Sequence, residues 1–97
     1  MDSAQVIARL KAMEPELRSA GLDALYLFGS RARGDERPDS DVDLLFDAKD
    51  QHVDYLSLLE LKRELAVSLE APVDLVERAH LHVLVRPFVE PDLVRIF

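Results

Sequence analysis

The sequence predicts an α/β fold, a small sheet covered by helices, from three observations. Apolar runs of strand length recur at residues 24–28, 42–46 and 73–76. Segments with helical periodicity precede the first run and separate the last two. A Gly-Ser turn and a polar loop containing Pro38 separate the first two runs, as the end of one buried strand and the approach to another would require.

The first helical segment covers residues 3–20. Val6, Leu10, Met13 and Leu17 recur at spacings of four, three and four and line one face, Asp2 or Ser3 can cap the start, and Gly21 can end it. Pro15 removes a backbone donor and is expected to kink or divide the helix. Residues 24–28 then form a strand running into Gly29, and residues 30–34 a brief helical turn. Along 42–47, Val42, Leu44 and Phe46 alternate with Asp43, Leu45 and Asp47, which places Asp41 and Asp43 on one side of the chain. The longest helix is expected over 53–69, with Leu58, Leu61, Leu65 and Leu69 on its apolar stripe and Leu59 and Ala66 beside it. Pro72 favours departure from the helix, and the run 73–76 carries Asp74 opposite Val73 and Leu75. Leu81, Leu84, Val85 and Phe88 can form a short helix before Pro91-Asp92 interrupts the approach to a final strand at 93–97.

Composition narrows the function classes. Ninety-seven residues suit one domain, 1–97, with one modest core and no separate substrate domain. Nineteen acidic against twelve scattered basic residues give a net charge of -7, which argues against direct nucleic-acid binding. A nucleotide stays compatible, because Mg²⁺ can mediate between carboxylates and phosphates. The absence of cysteine excludes thiolate catalysis and thiolate metal sites. With no apolar stretch of about 18 residues and no targeting segment, a cytoplasmic soluble protein without a membrane partner is expected.

The chemistry concentrates between residues 27 and 44. Gly29 permits close backbone approach, and Ser30 offers a hydroxyl at a possible helix start, a combination that can hold phosphate; equally, Ser30 can serve only to cap the turn. Arg31 and Arg33 are two apart and cannot both face one phosphate on an ideal helix, so one is expected at phosphate and the other at Asp35, Glu36 or a partner protein. Asp41 and Asp43, at i and i+2 on a strand, can jointly ligate a hard divalent ion. Asp74 is the third carboxylate that the fold can bring to them, able to complete an ion site and to receive or orient a hydroxyl proton. His80 and His82 have no third ligand nearby and are expected to be structural or partner-facing.

Gly29-Ser30, ten intervening residues and then Asp41-Val42-Asp43 resemble the signature of the polymerase-beta-like nucleotidyltransferase superfamily. The fuller Gly-Ser-Arg-Ala-Arg-Gly-Asp and Ser-Asp-Val-Asp-Leu strings resemble its minimal branch, the MntA-like antitoxins paired with HEPN-domain, HepT-like toxins, and the likeness runs through Val76. That resemblance implies a minimal fold with a mixed sheet flanked by helices, two Mg²⁺ ions and ATP as donor. It implies that Gly29 and Ser30 hold phosphate and that Asp41, Asp43 and Asp74 bind metal. AMP would pass to a tyrosine hydroxyl of the toxin, releasing pyrophosphate and silencing its RNase activity. Nucleotidyl transfer to a small-molecule hydroxyl, and neutralisation of a toxin by binding alone, are the competing expectations. A chain this short leaves little material for an acceptor pocket of its own. The acceptor surface is therefore expected from a second protein, met by the acidic exterior or by the apolar segment with Val85, Phe88, Val89 and Phe97, unless those residues complete the core.

Overall fold

A computed structural model describes residues 1–49 and 54–97. Helix α1 spans Ser3–Ala12 and α2 Glu14–Ser19. The expected division at Pro15 occurs there, because proline is tolerated in the first turn of a new helix and not in the interior of a continuous one. Asp2 caps α1: its side chain accepts from the Gln5 amide at 2.8 Å while the Gln5 side chain accepts from the Asp2 amide at 2.9 Å. Strand β1 (Leu22–Phe28) leads into the single-turn α3 (Ser30–Arg33), and β2 (Val42–Ala48) follows the polar loop. The long helix, α4, is Tyr55–Leu69; an expected start at Val53 lies outside the described residues. Then come β3 (Val73–Glu77), α5 (Arg86–Val89) and β4 (Val94–Arg95).

The sheet has the order β3-β2-β1-β4. β1 runs antiparallel to β2 and β4, whereas β2 and β3 are parallel and joined through α4, so the sheet is mixed. Val42, Leu44, Phe46, Leu25, Leu27 and Leu75 form one core with Val6 and Leu10 of α1, Leu17 of α2 and Leu61, Leu65 and Leu69 of α4. One sheet face therefore buries the helical stripes. Leu45, next to Leu44 on β2, is fully buried yet lies outside that core, as strand alternation requires. At the opposite end of β2, Arg78 donates to both carboxylate oxygens of Asp47 at 2.9 and 2.8 Å and lies 5.0 Å from the Tyr26 ring centroid.

The tail divides the expectation about its apolar residues. Ile96 and Phe97 are buried and extend the pairing next to Leu25, with the Ile96 amide donating to the Leu25 carbonyl at 2.8 Å. The final strand thus forms after Pro91-Asp92, which the chain absorbs in a 3₁₀ turn at Glu90–Asp92. Phe88 does not complete the core: it is 80 % exposed, beside exposed Val83, Leu84 and Val85. Pro87 starts α5 late, and four residues are too few to bring an apolar stripe back onto the sheet. Among the described residues no helix is long and apolar enough to cross a membrane.

Candidate active site

The residues singled out by the motif meet at one end of the sheet. The last residue of β1, Phe28, pairs with Asp43, and Asp43 pairs in turn with Asp74 across the parallel β2-β3 ladder. Directly paired residues project to the same sheet face, so Asp43 and Asp74 are side by side by register. Asp41 immediately precedes β2 and is exposed.

Gly29 is fitted to Asp43. Its φ of 76° and ψ of -155° lie in a region that only glycine enters without strain. A Cβ at Gly29 would fall on the Asp43 carboxylate, meeting Oδ2 first and standing 3.0 Å from Cγ. The missing side chain is thus what lets the turn close over the carboxylate.

Gly29, not Ser30, is the cap residue of α3, and no side-chain cap bond forms there. The Ala32 and Arg33 amides donate to the Gly29 carbonyl at 3.1 Å each, and the Gly34 and Asp35 amides donate to the Ser30 carbonyl at 2.9 and 3.1 Å. The backbone therefore holds this turn by itself, leaving the Ser30 hydroxyl uncommitted to capping.

The two arginines separate in a way that spacing could not resolve. Arg31 is 3 % exposed and points inward, donating to the Met1 carbonyl at 2.8 Å and the Ser40 carbonyl at 3.0 Å. It ties the start of α1 to the loop before β2, and the structure does not direct it to the acidic cluster. Arg33 is exposed, 3.4 Å from Asp35, and its charge acts on Asp43. Arg31→Ala is expected to cost about 2–4 kcal/mol, since two part-buried carbonyls lose a charged donor and a cavity opens where the buried side chain was. Urea denaturation measures this, and a nucleotide affinity unchanged per folded molecule would separate the tying role from phosphate binding.

Charge at this end is unbalanced. Burial pushes the Asp43 carboxyl above the usual carboxylate range, and the neighbouring Asp74 and Asp41 charges push it the same way; Arg33 offsets part of the rise. Among the described residues no group of three His, Cys, Asp or Glu side chains is arranged as a ready cage for an ion. Mg²⁺ does not need one, because it is commonly held by one or two carboxylates with phosphate and water oxygens completing its shell. Mutually repelling carboxylates facing a phosphate-compatible turn fit that donor set.

Lys62 and Arg63 were not singled out from the sequence. They share a groove of about 510 Å³ with Asp41 and Asp74, between α4 and the start of β3. Their only signal was the helical stripe Leu59, Lys62, Arg63 and Ala66, spaced i, i+3, i+4, i+7 on the flank of the buried one. A larger cavity, about 740 Å³, lies between α1 and α4 and contains none of these carboxylates.

A glycine turn closed over paired strand carboxylates at one end of a mixed sheet defines a small α/β domain whose candidate site is acidic. A family model described as polymerase beta, nucleotidyltransferase matches residues 13–89, and the chain belongs to that family. It is 35% identical over 74 residues to MJ0126 of Methanocaldococcus jannaschii, provisionally named a protein adenylyltransferase, covering 75% of this chain and 74% of the relative. A solved structure provisionally described as a minimal nucleotidyltransferase superposes with a TM-score of 0.82 at 32% identity, covering 97% of this chain and 95% of the other. A toxin-antitoxin structure with AMP-PNP gives a TM-score of 0.75 at 28% identity, covering 92% of this chain and 72% of the other. The chain is a minimal nucleotidyltransferase, with relatives provisionally named protein adenylyltransferases.

Proposed function

We propose that this protein transfers AMP from ATP to a tyrosine hydroxyl of a HEPN-type RNase toxin in the cytoplasm, neutralising it as an antitoxin. The observation that carries the reading is the pairing of Asp43 with Asp74 beneath the Gly29 turn. In this reaction the acceptor oxygen forms a bond to the α-phosphorus, the bond from that phosphorus to the bridging oxygen of the β-phosphate breaks, and pyrophosphate leaves. The hydroxyl proton passes to Asp74 or to solvent.

Gly29 and Ser30 receive the departing phosphates, with Arg33 as the nearby cation. Asp41, Asp43 and Asp74 are the residues that would hold two Mg²⁺ ions, which when bound lower the pKa of the attacking hydroxyl and neutralise charge on the leaving side. Asp74 faces the acceptor. A toxin partner is supported by the likeness to a toxin-antitoxin structure and by the exposed apolar run Val83, Leu84, Val85 and Phe88 on a chain of net charge -7, which suits a partner with a basic rim.

The test incubates the chain with Mg²⁺, ATP and the toxin encoded beside it, and reads partner mass and modified residue by mass spectrometry. Adenylate on a partner tyrosine, absent with an Asp41→Asn/Asp43→Asn chain, is the expected result. A partner that is inhibited but unmodified would replace transfer with neutralisation by binding. Label found only on a small-molecule hydroxyl would replace the protein acceptor.

A further inference from the structure

The groove at the β3 edge is lined by two cations to which the transfer reading above gives no role. Lys62 and Arg63 are exposed, and among the described residues neither forms an ion pair. The charges that act on Asp43 are those of Asp74, Asp41 and Arg33, so Lys62 and Arg63 are not its counter-ions. The acidic residues of α4, Glu60 and Glu64, are not part of the groove lining. Two positive charges on a helix flank thus line a concavity with apolar Leu59 and Val73, and face it together with the carboxylates of Asp41 and Asp74, whose charge the metal ions of the transfer reaction would offset.

Position says which side of the reaction this groove serves. Gly29 and Ser30 follow β1, Asp74 lies on β3, and β2 runs between them. Neighbouring strands are about 4.8 Å apart, so the two ends stand roughly 10 Å from one another. In an in-line displacement the attacking and leaving oxygens lie on opposite sides of phosphorus. With pyrophosphate departing toward Gly29 and Ser30, the hydroxyl enters from β3, where the groove opens.

We propose that this groove is the acceptor subsite, and that Lys62 and Arg63 bind an anionic group carried by the acceptor beside the attacked hydroxyl. The proposal rests on the transferase reading above. The anion can be an acidic side chain or a phosphate ester, both of which accept charge-assisted hydrogen bonds from ammonium and guanidinium groups.

The test uses three tyrosine peptides that differ only in the residue next to the tyrosine: glutamate, phosphoserine or glutamine. Adenylylation kinetics are measured with the full chain, and each peptide is also titrated without ATP while the α4 backbone amides are followed by NMR. An anionic peptide is expected to show a KM lower than the glutamine peptide by about tenfold or more, the scale of a charged hydrogen bond, with kcat little changed. Preference for glutamate assigns the carboxylate, and preference for phosphoserine the phosphate ester. Lys62→Ala/Arg63→Ala is expected to raise that KM to the glutamine level, whereas Lys11→Ala/Arg37→Ala, which removes equal charge elsewhere, leaves the preference intact. Equal KM values for all three peptides, or a preference that survives Lys62→Ala/Arg63→Ala, would overturn the proposal. So would Lys62 and Arg63 amide shifts caused by Mg²⁺-ATP alone, which would give the groove to the donor. If no peptide is adenylylated, the transferase reading fails for peptide acceptors and the titration still decides the subsite: α4 shifts with an anionic peptide support it, and their absence with both sinks it.

Discussion

Asp43→Asn is expected to abolish adenylyl transfer while making the metal-free chain more stable. Asp43 is the central member of the acidic row, paired with Asp74, adjacent to Asp41 and closed over by Gly29. An amide keeps its shape but supplies no anionic oxygen, so the proposed metal clamp loses its shared ligand. Loss of a single preorganised charge-stabilising group commonly costs 10²–10³-fold, and a ligand shared by two ions is expected at or beyond the upper end, about 10³-fold. Stability should move the other way. The folded state holds the Asp43 carboxyl above its ordinary range, chiefly through burial and then through repulsion by Asp74 and Asp41. Folded molecules therefore keep this proton to higher pH than unfolded ones, so the contribution is most favourable below the unfolded pKa and is lost as pH rises through the folded one. At neutral pH the charged form works against folding. Removing that charge is expected to raise Tm in the absence of metal.

Thermal unfolding from pH 3 to pH 7 without divalent ions checks both parts of the claim. The stability difference between Asp43→Asn and the parent should grow with pH through and above the ordinary carboxylate range, because only the parent gains the unfavourable charge. Adding Mg²⁺ with a non-hydrolysable ATP analogue should stabilise the parent and largely reverse the ranking. An Asn variant less stable than the parent at pH 7 without metal would mean that the Asp43 carboxylate is better solvated or better paired than this geometry allows. The opposite signs of the two effects are the mark of a site that accepts local cost for function.

The sequence made the strands, the α1-α2 break and the acidic row legible because each rests on a short-range rule. Alternation put Asp43 opposite Val42 and Leu44, and Pro15 could not lie within one continuous helix. The 43–74 pairing is different in kind. It depends on the register of a parallel ladder closed through α4: the strand run 73–76 could bring Asp74 near Asp41 and Asp43, but no local rule gives the register that pairs it with Asp43. Arg31 and Arg33 could not be assigned by spacing, since a single helical turn leaves the direction of each side chain to its tertiary surroundings; here the backbone carbonyls of Met1 and Ser40 draw Arg31 inside. Lys62 and Arg63 were not singled out, because nothing local to α4 says that the start of β3 lies beside them. Phe88 was legible as apolar but not as exposed: Pro87 and Pro91 keep the helix short, yet nothing local says whether its apolar residues reach the core.

Gly29→Ala is expected to lower both stability and transfer, by separable routes. The backbone at φ 76° and ψ -155° is nearly closed to residues with a side chain, so alanine carries a strain of about 1–3 kcal/mol wherever its methyl points. The methyl also lands on the Asp43 carboxylate, whose oxygens are the far end of a short side chain and can rotate aside. Rotation relieves much of the overlap but takes the carboxylate out of the position it holds under the Gly29 turn, so transfer should fall by about 10²-fold or more even in the molecules that stay folded. In an Asp43→Ala background the Oδ2 and Cγ contacts are gone and the Cβ stands at 3.3 Å, so the stability cost of Gly29→Ala should shrink toward the backbone strain. A double-mutant cycle in urea gives that coupling directly. Gly21→Ala is the matched control, at φ 105° with open space around the would-be Cβ, and it should show strain without loss of transfer per folded molecule. Full activity in folded Gly29→Ala would show that the turn does not need to close on Asp43, and the phosphate-holding role proposed for Gly29 would have to be given up with it.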